Sequence, residues 1–378
     1  MIIGIEAQRL FRKEKHGMDY VVLNELRQLQ QVDSENEYYV FVKSGEDCCL
    51  NSTGNMHIIE LQCPTYFLWE QWALPRAARK AGVEILHCTS NTGPLHCRIP
   101  LLLTLHDVIF MEGPSRSASL YQRLGNEYRR LVVPRLVPRC SQIITVSDFE
   151  RSNIMQTLGV PKEKITVLHN GYDDIFRPID NSKDIYKKYI DTPDYFFILG
   201  NTDTRKNVER MLMAYASYLE HSTIKRKLLM TSLKEEYLNE ILERNRISNI
   251  REHIVLTGYV PIDDLPYLYN DAFAFLFVSL REGFGIPILE SMACGTPVIT
   301  SNTSSMPEVA GKDALLVSPK DTEEISQMML RLEKDENLYN AQREYGLQHA
   351  RFFSWKEATI KLVTIYTVFG NLRLLNSK

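Results

Sequence analysis

Short apolar runs alternate with amphipathic segments along the whole 378-residue chain, and this alternation limits its folds more than any other feature. Short continuous apolar runs predict strands buried on both faces, which are typical of parallel sheets covered by crossover helices. The first half predicts strands at 2–7, 38–42, 57–61, 85–88, 101–105, 142–146 and 165–168. The second half repeats the pattern at 195–199, 227–231, 253–256, 274–277 and 298–300.

The repetition of this pattern indicates an α/β protein with two doubly wound, Rossmann-like parallel-sheet domains, and the length suits two domains of about 180 residues. We place the N-terminal domain at 1–176, a polar linker at 177–192 and the C-terminal domain at 193–353. Residues 354–378 form a C-terminal helix with one apolar face, which must pack on one of the domains. Its return to the N-terminal domain is one alternative.

Charge and composition exclude several classes of protein. With 44 Lys and Arg against 47 Asp and Glu, the net charge of -3 offers no general attraction for nucleic acid, so no nucleic-acid partner is expected. The seven scattered cysteines do not resemble a secreted disulfide framework, and no leader or membrane-spanning run is evident. The sequence therefore predicts a cytoplasmic protein that must hold any anion by local contacts.

The strongest local signal is residues 281–300, REGFGIPILESMACGTPVIT. Ile286 and Pro287 follow a Gly-x-Gly turn, and proline suits the first turn of a helix because its missing N–H is not needed there. The free amides and positive dipole end of this helix face Gly283 and Gly285, where backbone without β-carbons lets a phosphate or sugar come close. The segment predicts an anion site that requires no net charge.

Two glutamates flank this turn, Glu282 before it and Glu290 inside the helix. A carboxylate accepts two hydrogen bonds from neighbouring hydroxyls, so the pair suits a ligand with hydroxyls at both ends of a diphosphate, as in a nucleotide sugar. The alternative is structural: Glu290 would be a solvated helix residue and Glu282 would cap the turn.

Residues 282–290, EGFGIPILE, resemble the Glu-x7-Glu signature of the retaining family 4 glycosyltransferases. Blocks at 103–110, 144–178, 199–215 and 304–319 resemble further segments of that family in its order and spacing. The resemblance covers nearly the whole chain. It implies the GT-B fold, in which two Rossmann-like domains face each other across a cleft.

The resemblance also implies roles for single residues. Arg205 and Lys206 would neutralise the leaving diphosphate in place of a metal ion, which agrees with the absence of an Asp-x-Asp pair from the sequence. Glu282 would bind the donor sugar, Glu290 the ribose hydroxyls, and His106 the donor sugar near the reaction centre. Backbone contacts to the donor would come from Gly258 and Tyr259 near the base, and from Gly283, Phe284, Gly285 and Ile286 near the sugar or β-phosphate.

Two segments depart from the family pattern. Relatives commonly have a glycine-rich loop after the first strand. In this chain Gly17 matches the first glycine of that loop, and Asp19 stands where the second glycine would lie. Asp19 would bind the acceptor hydroxyl or simply cap the next helix. Thr231 and Ser232 stand where many relatives have glycine.

Residues 115–139 carry six arginines against one glutamate, with interleaved leucine, tyrosine and valine. On a helix this pattern suits an anionic bilayer or a lipid-diphosphate acceptor, but it equally suits a solvated face above the core. Peripheral contact with the inner face of the cytoplasmic membrane and a purely cytoplasmic location both stay open.

The resemblance therefore predicts a retaining, metal-independent hexosyltransferase without a cofactor. Its donor would be a nucleotide-diphosphate sugar, with GDP-mannose as the first choice, and its acceptor a saccharide or lipid-linked saccharide in O-antigen or other surface-polysaccharide synthesis. Two alternatives remain: a nucleotide-sugar 2-epimerase on the same fold, and an inactive subunit that binds sugar nucleotides.

Overall fold

The computed structural model describes residues 1–112, 120–179 and 184–376, which form two compact units. The first unit contains the described residues up to Gly171 and those from Ser354 onwards, and the second runs from Tyr172 to Phe353. The sequence pattern predicts that the first domain ends at residue 176, whereas the first unit of the structure ends at Gly171 before the chain returns to it at Ser354. Residues 180–183 of the predicted linker, 115–119 of the basic segment and 377–378 of the C-terminal segment lie outside the described residues.

The first unit is built on a seven-stranded parallel sheet in the order β3-β2-β1-β4-β5-β6-β7. The strands are β1 Ile2–Glu6, β2 Glu37–Val42, β3 Met56–Glu60, β4 Ile85–Cys88, β5 Leu101–Thr104, β6 Gln142–Thr145 and β7 Ile165–Val167. The direction of winding reverses between β1 and β4. Parallel α/β sheets bind ligands beyond the carboxyl ends of the strands at such a switch point.

The helices of this unit are α1 Gly17–Val32, α2 Tyr66–Leu68, α3 Leu74–Lys80, α4 Leu120–Leu136, α5 Asp148–Leu158 and, at the end of the chain, α13 Trp355–Asn376. A π-helix at Trp69–Ala73 joins α2 to α3, and 3-10 turns lie at Ile109–Met111, Val137–Arg139 and Lys162–Lys164. Helix α13 packs against α1. The Tyr366 hydroxyl of α13 lies 2.7 Å from Nδ1 of His87 on β4, and this hydrogen bond fixes the helix to the sheet.

The second unit contains a six-stranded parallel sheet in the order β10-β9-β8-β11-β12-β13, with its switch point between β8 and β11. The strands are β8 Tyr195–Leu199, β9 Leu228–Thr231, β10 Ile254–Leu256, β11 Ala272–Phe277, β12 Val298–Ser301 and β13 Leu315–Val317. The sequence predicts the first five of these. It gives no prediction for β13, a three-residue strand.

Helices of the second unit are α6 Val208–His221, α7 Glu235–Arg244, α8 Leu265–Asp271, α9 Ile286–Ala293, α10 Met306–Ala310, α11 Thr322–Lys334 and α12 Glu336–Ala350, with 3-10 turns at Ile185–Lys188, Thr204–Lys206 and Ser248–His253. The described part of the predicted linker packs on this unit. The Tyr189 hydroxyl donates to Asp264 at 2.6 Å, and the backbone N–H of Ile179 donates to Asn270 at 2.9 Å. These contacts hold the linker residues at both ends of α8.

The two sheets confirm the predicted fold class of two Rossmann-like, parallel-sheet domains. Central strands such as β4, β9 and β11 are buried along their whole length, as expected of sheets covered by helices on both faces. In the second unit the loops at the switch point carry Arg205, Lys206 and Glu282, whereas in the first unit Asp19 lies in the first turn of α1, after β1.

Candidate active site

The second unit brings two predicted segments together at its switch point. Arg205 and Lys206 lie in the loop after β8, and the glycine turn follows β11, the neighbouring strand. The backbone N–H of Leu280 donates to the carbonyl of Arg205 at 2.7 Å, which holds the two loops side by side. Residues that are 76 positions apart in the sequence therefore meet at one edge of the sheet.

Lys206 and Glu282 form the central ion pair of this region. The Lys206 ammonium donates to Glu282 Oε1 at 2.7 Å and lies 5.3 Å from the centroid of the Phe277 ring. Both charged side chains are half-buried, so their interaction is less screened than that of a surface pair. A ligand anion that approached Lys206 would meet a cation already desolvated on one side.

Arg205 is oriented by Asp203, which begins the same 3-10 turn. Its guanidinium donates to both Asp203 oxygens, with the Nη2 contact at 2.5 Å, and its backbone N–H donates to the carboxylate at 3.0 Å. Burial alone would raise the pKa of Asp203, but the hydrogen bonds from Arg205 hold that pKa below its ordinary value. The carboxylate thus remains ionised and fixes the guanidinium.

Asn207 anchors this loop, a role that the sequence did not predict. Its backbone is left-handed, with φ 59°, and its buried side-chain amide donates to the carbonyl of Val278 at 2.9 Å and of Pro319 at 2.7 Å. One amide therefore ties the loop after β8 to the segments that follow β11 and β13.

The glycine turn ends at Gly285, whose φ of 115° is unfavourable for a residue with a β-carbon. Helix α9 begins at Ile286, with Pro287 in its first turn, and Gly295 follows its end with φ 77°, as the sequence predicts. Gly285, the residue before α9, has no side chain that could cap the helix. Pro287 has no N–H, and the N–H of Ile288 donates to the carbonyl of Gly285 at 3.0 Å, so anion binding at this turn would rely on the Ile286 amide and the positive end of the helix dipole.

Two serines that the sequence did not predict fix the backbone of this turn. The Ser304 hydroxyl donates to the carbonyl of Glu282 at 2.7 Å and accepts from its N–H at 3.1 Å. The buried Ser305 hydroxyl donates to the carbonyl of Phe284 at 2.7 Å. Both residues belong to the loop after β12. Hydrogen bonds therefore connect the loops after β8, β11 and β12, which are neighbouring strands of the sheet.

A cavity of about 170 Å³ opens beside the ion pair. Its lining includes Gly200, Asn201, Lys206, Phe277 and Pro287. A β-carbon at Gly200 would lie 2.2 Å from the carbonyl oxygen of Thr231, so the strand ends of β8 and β9 approach closely only with glycine there. The cavity lies where the cations and the start of α9 converge.

Glu290 is not part of the Lys206–Glu282 ion pair. It lies on α9, the helix that follows the glycine turn. It is half-buried, and its Oε2 accepts a hydrogen bond from the Tyr269 hydroxyl at 3.2 Å. Burial raises the pKa of Glu290 to about 7, with a smaller contribution from the charge of Asp173. The carboxyl therefore titrates near neutral pH, and Tyr269 is a further partner that the sequence did not reveal.

Gly258 and Tyr259 follow β10, on the other side of β8. Gly258 has a φ of 69°, and its carbonyl accepts from the N–H of Ser232 at 2.7 Å. The side chain of Tyr259 is exposed. The predicted contact of these residues with a base stays a prediction.

In the first unit, Gly17 and Asp19 lie at the start of α1. Asp19 Oδ2 accepts from the N–H of His16 at 3.0 Å, and its Oδ1 lies 3.0 Å from Nε of Arg9. The Asp19 side chain is only 2% exposed. Of the two roles considered for Asp19, the structure shows the helix cap; its predicted substrate contact and that of Gly17 stay predictions.

Arg9 was not among the predicted site residues. Its Nε and Nη2 are buried and have no hydrogen-bond partner within the described part of the chain, although Nε is close to the Asp19 carboxylate. Buried donors are rarely left without a partner, so this guanidinium is an additional candidate for ligand contact.

His106 follows β5 and is buried. Its backbone N–H donates to Asn91 Oδ1 at 2.6 Å, and its Nε2 lies 2.9 Å from the carbonyl oxygen of Thr89. Because a carbonyl only accepts, Nε2 carries the hydrogen, and burial lowers the pKa of the ring so that Nδ1 lacks a proton at neutral pH. The ring thus offers Nδ1 as an acceptor.

Two buried carboxyls near His106 were also not predicted. The Thr89 hydroxyl donates to the carbonyl of Glu6 at 2.6 Å, and burial raises the pKa of Glu6 to about 7. Glu70 accepts from the hydroxyls of Tyr66 at 3.0 Å and Tyr128 at 2.5 Å. A glutamate at the end of an apolar first strand was the available signal for Glu6.

The two Rossmann-like parallel sheets and the structures that superimpose on the chain place it in the GT-B class of fold. Sucrose-phosphate synthase from Thermosynechococcus elongatus superimposes with a TM-score of 0.74 and 17% identity over 100% of both chains. WaaG, a glycosyltransferase involved in lipopolysaccharide biosynthesis, gives 0.71 and 15% over 97% of this chain and 99% of its own. Anabaena HepE in complex with UDP-glucose gives 0.73 and 15% over 97% and 100%.

Family models match both units. Residues 17–175 match the model described as Glycosyltransferase Family 4, and residues 180–349 match Glycosyl transferases group 1. Together the two matches span most of the sequence. The chain belongs to glycosyltransferase family 4, group 1, as the resemblance of its motifs indicates.

Several curated relatives are bacterial mannosyltransferases. The chain is 34% identical to O-antigen chain mannosyltransferase B of Escherichia coli over 230 residues, which are 59% of this chain and 60% of that protein. It is 29% identical to O-antigen chain mannosyltransferase RfbU of Salmonella typhimurium over 268 residues, 68% of this chain and 67% of the relative. The match to the serotype-specific mannosyltransferase WbdA of Escherichia coli spans 27% of that protein.

Proposed function

We propose that this protein is a retaining glycosyltransferase that moves mannose from GDP-mannose to a saccharide or lipid-linked saccharide acceptor. The observation that carries the proposal is the Lys206–Glu282 pair, with Nζ and Oε1 2.7 Å apart, beside the start of α9. A nucleotide sugar has an anionic diphosphate and a sugar with hydroxyl groups, so a cation and a carboxylate at the start of one helix suit both parts of it. The cation meets the diphosphate, and the carboxylate meets sugar hydroxyls.

The two cations have the properties needed to stabilise a leaving diphosphate. Arg205 is held rigidly by Asp203, so little reorganisation is needed when charge develops on the leaving oxygen. Lys206 would exchange its bond to Glu282 for a phosphate oxygen, which frees the Glu282 carboxylate to accept hydrogen bonds from the donor sugar. The amides at the start of α9 would add their positive dipole end to the same phosphate.

We also propose that transfer needs no metal ion. Support comes from the position of the cations, since two positive side chains at one loop supply the charge that a divalent ion would otherwise provide. Retention would follow from attack by the acceptor hydroxyl on the face that the diphosphate leaves, with the leaving phosphate oxygen taking the hydroxyl proton. Glu290 would bind the ribose hydroxyls, and Nδ1 of His106 would accept a hydrogen bond from the donor sugar.

The choice of donor and pathway rests on the relatives. O-antigen chain mannosyltransferase B and RfbU are named for mannosyl transfer in O-antigen synthesis, which favours GDP-mannose and a surface-polysaccharide acceptor. We place the enzyme at the inner face of the cytoplasmic membrane, where a lipid-linked acceptor would be available to the basic segment at 115–139. Among the described residues, no helix is long and apolar enough to span a membrane.

A two-stage experiment tests the function. Thermal shift with GDP-, UDP- and ADP-sugars identifies the donor, and we expect the largest stabilisation from GDP-mannose. Transfer to a mannose-containing acceptor is then followed with and without EDTA, and the product anomer is assigned by NMR. We expect an α-linked product from the α-configured donor and equal rates in EDTA.

Substitutions link the reaction to the site. Glu282→Gln and Arg205→Ala should each lower the transfer rate by about 100-fold or more, while Lys320→Ala, an exposed cation of the same unit, should not. Unchanged rates in both site variants would refute the assignment. Conversion of the donor sugar without any acceptor would instead identify a 2-epimerase, and binding without turnover would identify an inactive subunit.

A further inference from the structure

The first unit exposes large apolar side chains beside uncompensated positive charge. Phe67 and Trp72, on the segment from α2 to α3, are 54% and 60% exposed, and Leu68 between them is also exposed. Scattered exposed apolar residues are ordinary on protein surfaces, but a contiguous group with a charged border indicates an interaction site.

These residues form one surface. The Arg76 guanidinium carbon lies 5.2 Å from the centroid of the Trp72 ring, and both residues line a shallow depression that continues to Lys80. On the other side, the Phe67 ring lies 6.1 Å from Tyr128 of α4, one helical turn from Leu124, which is 71% exposed. The surface extends from Leu124 through Phe67 and Trp72 to Lys80.

The charge of the segment from α2 to α3 has a single sign, and on α4 the exposed Glu127 is paired with Arg130. Between residues 66 and 80 the exposed charged side chains are Arg76, Arg79 and Lys80, while the acidic residue of the segment, Glu70, is buried. None of the three cations pairs with a carboxylate in the part of the chain that the structure describes. The formal net charge of the chain is -3, so this positive surface is a local concentration.

We propose that the surface formed by Phe67, Leu68, Trp72, Arg76, Lys80 and Leu124 is a docking site for bilayers that contain anionic phospholipid. Aromatic and leucine side chains insert at the boundary between headgroups and acyl chains, while arginine and lysine bind the anionic headgroups. A second copy of the chain fits less well, because a two-fold contact would place the same cations against each other. The inference deepens the proposed function, since a lipid-linked acceptor lies in such a bilayer.

The tryptophans offer a specific spectroscopic probe. The chain has three, and Trp69 and Trp355 are buried while Trp72 is exposed. Insertion of this surface into a bilayer should shift the fluorescence emission of the whole protein to shorter wavelength, chiefly through Trp72. Trp72→Phe should keep vesicle binding within about threefold but remove most of the shift, because phenylalanine preserves most of the apolar area.

Vesicle sedimentation tests the proposal with the purified full-length chain. We expect binding to phosphatidylcholine vesicles containing phosphatidylglycerol, little binding to phosphatidylcholine alone, and weaker binding as salt rises. Phe67→Ser with Trp72→Ser, and separately Arg76→Gln with Lys80→Gln, should each weaken binding by about tenfold or more. Ile224→Ser and Lys361→Gln, exposed positions elsewhere, serve as matched controls and should leave binding unchanged.

The proposal would be overturned by no binding to anionic vesicles at low salt, by equal binding of the surface and control variants, or by a dimer in solution that Trp72→Ser dissociates. Preferential retention on a saccharide column without vesicle binding would also contradict it. Transfer to a water-soluble acceptor separates this inference from the proposed function. The surface variants should keep that activity, and its absence in the wild-type protein would refute the function while leaving vesicle binding to be judged independently.

Discussion

The loops after β1 and β8 follow the first strand of their respective sheets, yet they use their charged residues in opposite ways. After β8, Lys206 and its partner Glu282 are half-buried and lie beside a cavity. After β1, Asp19 is 2% exposed, caps α1 and contacts Arg9. The same topological position thus carries a half-buried ion pair beside a cavity in one unit and a buried carboxylate–guanidinium contact in the other.

The difference shows what a local anion site requires. A charged side chain can bind a ligand only if solvent reaches it, and the Lys206 and Glu282 side chains are 26% and 13% exposed. The Asp19 carboxylate is less accessible, because 2% of its side chain is exposed and its two oxygens contact a backbone amide and a guanidinium. We therefore expect substitutions after β8 to affect transfer, and substitutions after β1 to affect stability.

The largest expected effect is on catalysis. Lys206→Ala should lower kcat/KM for the donor by about 1,000-fold, because it removes a preorganised positive charge from the leaving diphosphate and leaves Glu282 unpaired. Steady-state transfer kinetics measure the change, with Lys320→Ala as the control. A Lys206→Ala enzyme within threefold of the wild type would show that the β8 loop does not stabilise the leaving group.

Asp19→Asn should act on stability instead. Neutralising one partner of a buried ion pair should lower the free energy of unfolding of the first unit by about 3 kcal/mol. Asparagine can still cap the helix, so the loss would come from the unpaired Arg9 charge, and adding Arg9→Met should recover part of it. Urea titrations provide the measurement, and a variant as stable as the wild type would refute the closed-contact interpretation.

Donor binding should depend on pH through Glu290. Its pKa is raised to about 7 in the free protein, and in the proposed donor complex ribose hydroxyls would donate to the ionised carboxylate, so binding would favour the deprotonated form. Affinity should therefore be full above pH 8 and weaken on acidification, by about tenfold at pH 6. Titration calorimetry at several pH values tests this, and a pH profile in Glu290→Gln that matches the wild type would contradict it.

The smallest expected effect compares two turn residues with left-handed backbone. Ser232 has a φ of 57° and Gly258 a φ of 69°, and space around the Gly258 α-carbon is open. Ser232→Gly should stabilise the second unit by about 1 kcal/mol, and Gly258→Ala should destabilise it by a similar amount. Thermal unfolding of both variants measures these changes; a shift in the same direction for both would refute the backbone explanation.

Much of the fold was predictable because it depends on local pattern. Strands such as β4, β9 and β11 are buried along their length, and their apolar runs mark them in the sequence. Helix α9 was delimited by Pro287 and Gly295, whose backbone preferences act on a single turn. The strand β13, Leu315–Val317, was not predicted, although β7 and β10 are equally short and were predicted.

The site was less predictable, because its supporting contacts join distant parts of the chain. Asn207 reaches Val278 and Pro319, 71 and 112 positions away, and Ser305 reaches Phe284 across 21 positions. The spacing of residues within a short stretch of sequence does not predict such hydrogen bonds. Asp19 illustrates the same limit, since the sequence allowed both a cap and a substrate contact, and only the fold shows the cap and the nearby Arg9.

Direct titration of the nucleoside diphosphate tests the central claim that the β8 loop and the start of α9 hold the donor. Calorimetry would compare the wild type, Arg205→Ala with Lys206→Ala, and Asp19→Asn, using the diphosphate of the donor selected by thermal shift. We expect the double variant to lose affinity by about 100-fold or more, and Asp19→Asn to remain within threefold. Wild-type affinity in the double variant, or loss of binding in Asp19→Asn alone, would contradict the assignment.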